Sequence, residues 1–577
     1  MGATGLAFGL PLLLAFNAPP SPTVLNEFAS LGLAGSWATI VARDMRDSPA
    51  NAFPLLLCAL AALLVGLAWS SLVALPTSIA LGIGATLLAS GLVARAASGI
   101  TQHPLRTVWF VDFCWTLCAA GLVSSVIGCV QVFAPAWPDG EVVARSAVVG
   151  RAVGNLRQPN HLSSLALWSL LAIFALHALR AMSGAWACAL GLLSLFAVVL
   201  SGSRTGVVGV AMLFAWGVLD RRLSRGERQC LLVTPIIFLG LWFMMSAWAL
   251  AFAHVFGGAG RMSVEGDISS SRFAIWSNTL SMIAREPLAG VGVGEFNLAW
   301  TLSELPNRPT AFFDHTHNLP LQLWVELGLP LGTLVLVLLL IALWQSHRRA
   351  WAHPGDDGVA RRAAFMMVLM IGLHSLLEYP LWYAYFLLPT AFAWGFSLSK
   401  PPSNRASDSA DSVQRQPRAG VARALGLAGV AMSIGAAAAV MDYRSVVAIY
   451  DPPDNAAPLE ERIARGQRSP LFGHHADYAA ATAFGPPKAP LSPSQELAFK
   501  RAPHQLLDVR LMIAWSQALA AQGELDKARW LAARIREFRN PGSDEYFAPC
   551  ADAAQAAQAF QCQPPTREVH WREFLRR

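Results

Sequence analysis

The chain has 577 residues, of which 54% are apolar and only 14% are charged, and its mean hydropathy is +0.44. This composition excludes an ordinary soluble enzyme and indicates a polytopic membrane protein. The formal charge of +7 arises from cations that cluster between apolar segments, without a basic stripe of the kind that binds nucleic acid.

The apolar segments predict an all-α membrane protein. Runs with the length that a bilayer core requires predict about 13 transmembrane helices. The first run lacks the basic flank of a secretory signal, so we expect a helix there and not a cleaved leader. The runs lie near residues 4–17, 25–42, 52–70, 74–94, 108–134, 160–178, 185–200, 206–220, 230–254, 318–345, 363–379, 381–398 and 424–441.

The Lys and Arg residues of the short loops predict the orientation, because cytoplasmic loops retain them. Alternate loops carry these cations, for example Arg43 and Arg46 in one loop and Arg221 and Arg222 in another. The pattern places the N-terminus inside. An odd number of spans then places the tail outside, in the periplasm if the cell has two membranes.

Outside the spans, the sequence predicts an outward loop at about 135–158, a large outward loop at about 255–317, and a tail. We therefore divide the chain into a membrane core over 1–441 and a helical tail domain over 442–577. Apolar residues at helical spacing around Gly523 favour either a helix–turn–helix of tetratricopeptide type or a plain helical cap. The polar stretch 400–418 is typical of a flexible linker.

The eight cysteines do not indicate a metal site, because they lack the spacing of metal ligands. Six of them lie in or beside spans, as small core residues do. Cys550 and Cys562 lie in the tail, where a disulfide is chemically permitted. The sequence leaves open whether they pair.

Several arginines lie in outward loops, where the charge rule disfavours them. Arg145, Arg151 and Arg285 are typical of solvated residues at the membrane rim. Arg204, in "SGSRTG", joins two spans and must lie at the outer surface. A guanidinium at a helix start matches phosphate oxygens and favours a lipid-borne phosphate as its partner, with a structural ion pair as the alternative.

Arg272 begins an amphipathic helix in "SSSRFAIW" that we expect to run through Ile283, and it is a candidate second phosphate ligand. The following "PLAGVGVGEF" lacks the Lys-Ser/Thr of a phosphate-binding loop and predicts a tight turn.

His315 and His317 lie with Asp314 and Asn318 just ahead of a span, in "FFDHTHNLPLQLWVELG". Their spacing does not favour zinc. An imidazole at the outer mouth of a helix bundle suits general base catalysis on a hydroxyl. The alternative is a histidine that hydrogen-bonds a helix end.

The segment "HSLLEYPLWYAYF" carries His374, Glu378 and Tyr379 deep in apolar sequence. Polar groups at such positions usually face the bundle interior or a cavity. The sequence leaves open whether these three bind a substrate or pair with one another.

Together, "GRAVGNLRQPNHLSSLALWSL", "SGSRTG", "SSRFAIW...PLAGVGVGEF", "DHTHNLPLQLWVELG" and "HSLLEYPLWYAYF" resemble the bacterial protein O-oligosaccharyltransferases of the protein glycosylation ligase type (PglL). These are relatives of O-antigen ligases and polysaccharide polymerases. The resemblance covers roughly residues 1 to 440. Ligases of this kind often show HN, nine residues and then GxxG, whereas here Gly332 follows Gly328 through "LPL". This departure concerns only the fine packing of the helix.

The resemblance implies a lipid-diphosphate-linked oligosaccharide as donor, an exported protein as acceptor, an inner-membrane location and no cofactor or metal. By motif, His317 would be the catalytic base, and Arg204 and Arg272 would hold the diphosphate. We expect these three to converge on one pocket at the extracytoplasmic mouth. The further substrate-binding candidates are Arg157, Gln158, Asn160, His315, Asn318, Glu378 and Tyr379.

Two other functions remain open from the sequence. An O-antigen ligase or polymerase would use the same chemistry on a lipid A core or a glycan, although "GNLRQPNH" favours a protein acceptor. A transporter of polysaccharide or lipid-linked glycan would also have many spans. We see no repeat between the two halves of the sequence, which transporters commonly show.

Overall fold

The computed structural model describes residues 2–44, 54–258, 266–310, 312–399, 419–487 and 489–575. Throughout these residues the regular structure is helical, with no strand. This follows from the composition, because a helix pairs the backbone N–H and C=O groups within one segment, as lipid requires.

The helices of the N-terminal half follow the predicted apolar runs closely. They are α1 (Gly2–Phe8), α2 (Leu10–Leu13), α3 (Val24–Asp44), α4 (Pro54–Val73), α5 (Thr77–Ile100), α6 (Arg106–Phe133), α7 (Pro159–Ala178), α8 (Gly184–Ser201), α9 (Arg204–Leu219) and α10 (Arg225–Ala251).

The C-terminal half continues with long helices and then with the shorter helices of the tail. They are α11 (Gly266–Arg285), α12 (Phe296–Leu302), α13 (Leu319–Ala352), α14 (Gly355–His374), α15 (Ala384–Leu398), α16 (Ala419–Tyr450), α17 (Leu459–Gly466), α18 (Gly473–Thr482), α19 (Pro493–Arg501), α20 (Val509–Ala521), α21 (Leu525–Phe538), α22 (Asp544–Phe547) and α23 (Ala553–Gln558).

Eight helices among the described residues are long and apolar enough to cross a membrane. They lie within α4, α5, α6, α7, α8, α10, α13 and α16. The prediction of an all-α polytopic membrane protein is therefore confirmed, while the count of about 13 spans stays a prediction.

The chain forms two compact units, each built from segments that are distant in sequence. The first unit comprises Met1–Cys58, Thr86–Gly266 and Leu338–Ala438, and the second comprises Ala59–Ala85, Asp267–Val337 and Ala439–Arg577. The proposed division between a core over 1–441 and a tail over 442–577 stays a prediction.

An aromatic cluster fixes the helices of the first unit. The rings of Phe113 on α6 and Phe392 on α15 stack with centroids 4.1 Å apart. The ring of Phe8 on α1 meets that of Trp37 on α3 edge to face at 5.1 Å. Buried rings of this size contribute strongly to packing, so this cluster holds α1, α3, α6 and α15 together.

In the second unit, the tail helices share a core with α11 and α12, which includes Trp300, Leu511 and Phe538. Helices α20 and α21 pack as a pair joined around Gly523, which has φ +83°, in agreement with the predicted helix–turn–helix. Its tetratricopeptide type stays a prediction. Cys550 and Cys562 form a disulfide. The predicted linker 400–418 lies outside the described residues.

The segment "PLAGVGVGEF" forms a tight turn, as predicted. Gly290, Gly292 and Gly294 all have positive φ. The amide of Val291 donates to the carbonyl of Val325 at 2.8 Å, and that of Gly292 donates to Glu326 at 3.0 Å. The turn therefore packs on the first part of α13, and these two amides are used in hydrogen bonds to carbonyls of that helix.

Candidate functional site

In the first unit, hydrogen bonds link three of the predicted motifs at helix ends. The hydroxyl of Ser203 donates to the Asn160 side-chain oxygen at 2.6 Å. The Asn160 amide donates to a carboxylate oxygen of Glu378 at 2.8 Å. Glu378 is buried. These hydrogen bonds link the three segments to one another at the ends of their helices.

Arg204 is the first residue of α9, as predicted from the sequence. Ser203 is its N-cap, and the Ser203 hydroxyl accepts from the amide of Gly206 at 3.2 Å. The first turn of a helix has unpaired N–H groups and a positive dipole end. The half-buried Arg204 side chain therefore adds a cation where an anion is already favoured.

Arg151 differs from its prediction as a solvated rim residue, because it is buried. Its Nε donates to the carbonyl of Ser201 at 2.8 Å, and a terminal nitrogen donates to Gly202 at 3.5 Å. A cation at these last carbonyls caps α8. Arg151 thus supports the turn that precedes Arg204. No local sequence pattern indicates this contact, since the partner lies 50 residues away.

Arg157 and Gln158 lead into α7. Arg157 has φ +57°, and its guanidinium donates to the carbonyls of Pro22 at 3.1 Å and Gly140 at 3.4 Å. Desolvation lowers the pKa of Arg157. Among the described residues, no donor reaches the buried side-chain oxygen of Gln158. Gln158 therefore presents an unused acceptor beside Asn160.

Two buried histidines, His161 and His374, lie close to these hydrogen-bonded segments. The sequence motifs indicate only His374. The Nδ1 of His374 lies 2.8 Å from the Ser164 hydroxyl. His161 packs edge to face on Tyr383 at 4.7 Å, and its ring lies 6.2 Å from that of His374. Tyr379 stacks on Tyr383 at 6.0 Å. The position of His161 next to Asn160 in the motif was the available signal.

In the second unit, the histidine loop (residues 312–318) has an unusual backbone at His317. His317 has φ +54°, in the left-handed region that few residues other than glycine adopt. Such a conformation costs roughly 1–2 kcal/mol and persists only where the surroundings enforce it. The strain is located at the residue for which the sequence predicted catalysis.

Three hydrogen bonds hold Thr316, next to His317. The indole of Trp276 on α11 donates to the Thr316 carbonyl at 3.0 Å. The amide of Thr316 donates to the Gln322 side chain at 2.8 Å, and its hydroxyl donates to the Asn318 carbonyl at 2.8 Å. Asn318 in turn accepts from the amide of Leu321 at 3.1 Å and so caps α13.

Arg272 lies four residues before Trp276 on α11, so both project from the same face of that helix. Trp276 contacts the histidine loop, and Arg272 lies one helical turn away on the same side of α11. The second unit contains Arg272, His315, His317 and Asn318, and the first unit contains Arg157, Gln158, Asn160, Arg204, Glu378 and Tyr379.

Asp314 and His315 lie side by side, with His315 Nδ1 3.1 Å from a carboxylate oxygen of Asp314. Desolvation acts to raise the pKa of Asp314, but the hydrogen bond and charge of His315 and the charge of His317 outweigh it and hold that pKa below its ordinary value. The side chain of Asp314 is 47% exposed, so solvent screens the pair. Within the described ranges, no three His, Cys, Asp or Glu side chains form a group suited to a metal ion.

The fold and these clusters define a polytopic helical membrane protein with polar side chains gathered at the ends of apolar helices. Three family models match it. One described as protein glycosylation ligase matches residues 152–177, one described as O-antigen ligase matches 189–336, and one described as virulence factor membrane-bound polymerase, C-terminal, matches 362–544. Each candidate site residue lies within one of these segments.

Two curated proteins of Acinetobacter baylyi are similar to the chain. One is named general O-oligosaccharyltransferase and is 27% identical over 314 residues, 52% of this chain and 53% of that protein. The other is named ComP-specific O-oligosaccharyltransferase and is 27% identical over 255 residues, 44% of each protein. The match spans about half the length of the first relative and less of the second. The resemblance to protein O-oligosaccharyltransferases predicted from the motifs is therefore confirmed.

Proposed function

We propose that the chain transfers a preassembled oligosaccharide from a lipid carrier of the undecaprenyl-diphosphate type to Ser or Thr hydroxyls of exported proteins, at the periplasmic face of the bacterial inner membrane. The observation that carries the proposal is the left-handed conformation of His317 between Thr316 and Asn318, whose backbone groups are both hydrogen-bonded. The match to the protein glycosylation ligase model supports transfer to protein, and the names of the two relatives support transfer of an oligosaccharide.

In the proposed reaction, His317 takes the proton of the acceptor hydroxyl as its oxygen attacks the anomeric carbon of the first sugar. A bond forms between these two atoms, and the bond from the anomeric carbon to the phosphate oxygen breaks. The lipid diphosphate leaves with that electron pair. General base catalysis of this kind contributes about 10²- to 10⁴-fold to a rate.

The remaining rate enhancement would come from stabilising charge on the departing diphosphate. Arg204 combines a guanidinium with the N-terminal amides of α9, which suits phosphate oxygens. Arg272 is a second candidate, on the face of α11 that carries Trp276. Such donors stabilise developing charge most strongly where water is excluded. Arg204 belongs to the first unit and the other two to the second, and their convergence stays a prediction.

The other candidates divide into direct and indirect roles. We assign substrate contacts to Gln158, whose side-chain oxygen has no donor among the described residues, and to Tyr379. Asn160 and Glu378 bond to each other and would orient the helix ends. Arg157, bonded to two carbonyls, would hold the loop that carries Gln158. His315 and Asn318 flank the proposed base.

The central test replaces His317 with alanine. Membranes that contain the chain, a lipid-linked glycan and a pilin-like acceptor protein are incubated, and mass spectrometry measures glycan on the acceptor. We expect His317→Ala to lower the transfer rate by about 10²- to 10⁴-fold, the contribution of a general base. Gel filtration in detergent checks that the variant folds.

His103→Ala is the matched control, because His103 lies in a loop predicted to face the cytoplasm, and it should transfer at the unmodified rate. Full transfer by His317→Ala would remove the proposed base.

The same assay separates the rival functions. The matches to O-antigen ligase and to a membrane-bound polymerase favour a lipid A core or a growing glycan as the alternative acceptor. Glycan found only on lipopolysaccharide, or only on longer glycan chains, would reject the protein acceptor. Glycan that crosses the bilayer without forming a new covalent bond would indicate a transporter.

A further inference from the structure

The last turn of α21 in the tail contacts the histidine loop directly. The rings of Phe538 and Phe312 stack with centroids 3.9 Å apart and an interplanar angle of 17°. Phe538 is buried and lies in the same apolar core as Phe312. Stacked rings stabilise a contact beyond the area that they bury. The tail therefore fixes the start of the loop that carries His317.

Arg308 forms a second tie between α21 and this region. Its Nε donates to Glu537 at 2.8 Å, and its other nitrogens donate to the carbonyls of Trp300 at 2.7 Å and Ser303. The guanidinium lies over the ring of Phe538 at 5.1 Å. Burial lowers the pKa of Arg308 to about 10, against the opposing charge of Glu537.

A buried cation needs its partner, since removal of the carboxylate would leave the charge of Arg308 uncompensated. Glu537 therefore keeps Arg308, and with it the end of α12, in place.

The constraint continues from Phe312 to His317. The ring of Phe313 lies 5.9 Å from that of Trp300 and meets the His317 ring edge to face at 5.4 Å. The Asn297 amide donates to the Phe313 carbonyl at 2.9 Å. The Asn297 oxygen accepts from the amide of Leu507 in the tail at 2.8 Å. Tail residues thus act on both the side chains and the backbone ahead of His317.

From these contacts we infer that Phe538 and Glu537 of the tail are positioning residues for His317, so that the tail completes the catalytic loop as well as extending the membrane core. The inference rests on the proposed function. It explains how the left-handed conformation of His317 is maintained, because an isolated loop would relax to a less strained backbone.

The test compares two substitutions of equal size. Phe538→Leu keeps an apolar side chain but removes the stacking on Phe312. Phe499→Leu makes the same change at another buried phenylalanine of the tail core, on α19. We expect Phe538→Leu to lower kcat for glycan transfer roughly ten- to hundredfold, since small misplacement of a catalytic group has effects of this size.

The donor KM should change less than twofold, and Phe499→Leu should keep its kcat within twofold. Thermal unfolding of the full chain in detergent gives the stability loss of each variant.

A double-mutant cycle with Phe312→Leu provides the readout that a general loss of stability would not produce. If the stacked pair acts as one unit, the kcat of Phe312→Leu/Phe538→Leu should equal that of either single variant, because the second change removes nothing more. Independent, multiplying losses in kcat would overturn the inference, as would equal kinetics of Phe538→Leu and Phe499→Leu.

The outcomes also separate this inference from the proposed function. Transfer by the unmodified chain that is lost in His317→Ala supports the function, and Phe538→Leu then decides the positioning role alone. Transfer that persists in His317→Ala, or no transfer by the unmodified chain, would overturn both.

Discussion

At the scale of single residues, His317 differs from its neighbour His315 in its backbone. Both imidazoles follow Asp314 in the sequence, but His317 is the one with a positive φ. An imidazole placed by a strained backbone has fewer alternative positions than one on a relaxed loop. Two different substitutions of His317 can separate the chemistry proposed for the imidazole from the conformational cost of the backbone.

We predict that His317→Gly gives a more stable protein than His317→Ala, by roughly 0.5–1 kcal/mol. Glycine adopts φ +54° without steric strain, whereas alanine keeps the Cβ that causes it. Thermal unfolding of both variants in detergent measures the difference, and both should lack transfer. Equal stability would show that the left-handed backbone is not maintained in solution.

Some positions of candidate site residues could be predicted from the local sequence, and others could not. The placement of Arg204 at a helix start could be predicted because Ser, Gly and Thr around it are local signals. The burial of Arg151 could not be, since its acceptors at residues 201 and 202 depend on tertiary packing. The same holds for Asn160 and Glu378, whose contact joins residues 218 positions apart.

Among the helices, α13 contains a kink that its apolar sequence does not predict. The sequence predicts one span over 318–345, and the structure has a helix over Leu319–Ala352 in which Gly328 has φ 75° and ψ 167°. The turn at Gly290 packs against this position, and the amide of Leu329 donates to the carbonyl of Pro287 at 2.8 Å. The kink at Gly328 thus allows the turn at Gly290 to pack closely against α13.

We predict that Gly328→Ala destabilises the protein by more than about 3 kcal/mol. A Cβ there would lie 2.2 Å from the carbonyl oxygen of Leu288, and the φ of 75° is itself costly for alanine. Thermal unfolding in detergent measures the effect. Gly240→Ala on α10 is the control, since a Cβ there has nothing within 4 Å and should cost little. Similar melting temperatures for the two variants would contradict the kink.

At the scale of the whole molecule, the helices could be predicted from apolar run length, but their grouping into two units could not. Hydrogen bonds such as Ser78 to His474, 396 residues apart, and Glu295 to His504, 209 apart, assemble the second unit from distant segments. Run length and loop charge contain no information on such pairings. Loop charge does predict which helix ends lie on the same side of the membrane, and the contacts of the first unit can be compared with that prediction.

Helix ends that the charge rule assigns to the same side are paired in the first unit. Arg106 at the start of α6 and Arg362 on α14 are both predicted inside, and they pair with Asp357 at 3.2 Å and Asp220 at 3.3 Å. The ends predicted outside are joined by the bonds of Asn160. Antiparallel helices in a bilayer require this separation of ends, so the contacts agree with the loop charges.

We therefore predict that the tail lies outside and the loop at 221–224 inside. A reporter enzyme that is active only outside the cytoplasmic membrane, fused after residue 577 or within 135–150, should be active, and fused after residue 223 it should be inactive. A reporter that is active only in the cytoplasm should give the opposite pattern. An inactive outside reporter after residue 577 would place α21 and the histidine loop in the cytosol. Since an exported acceptor could not meet His317 there, that single result would exclude the proposed reaction.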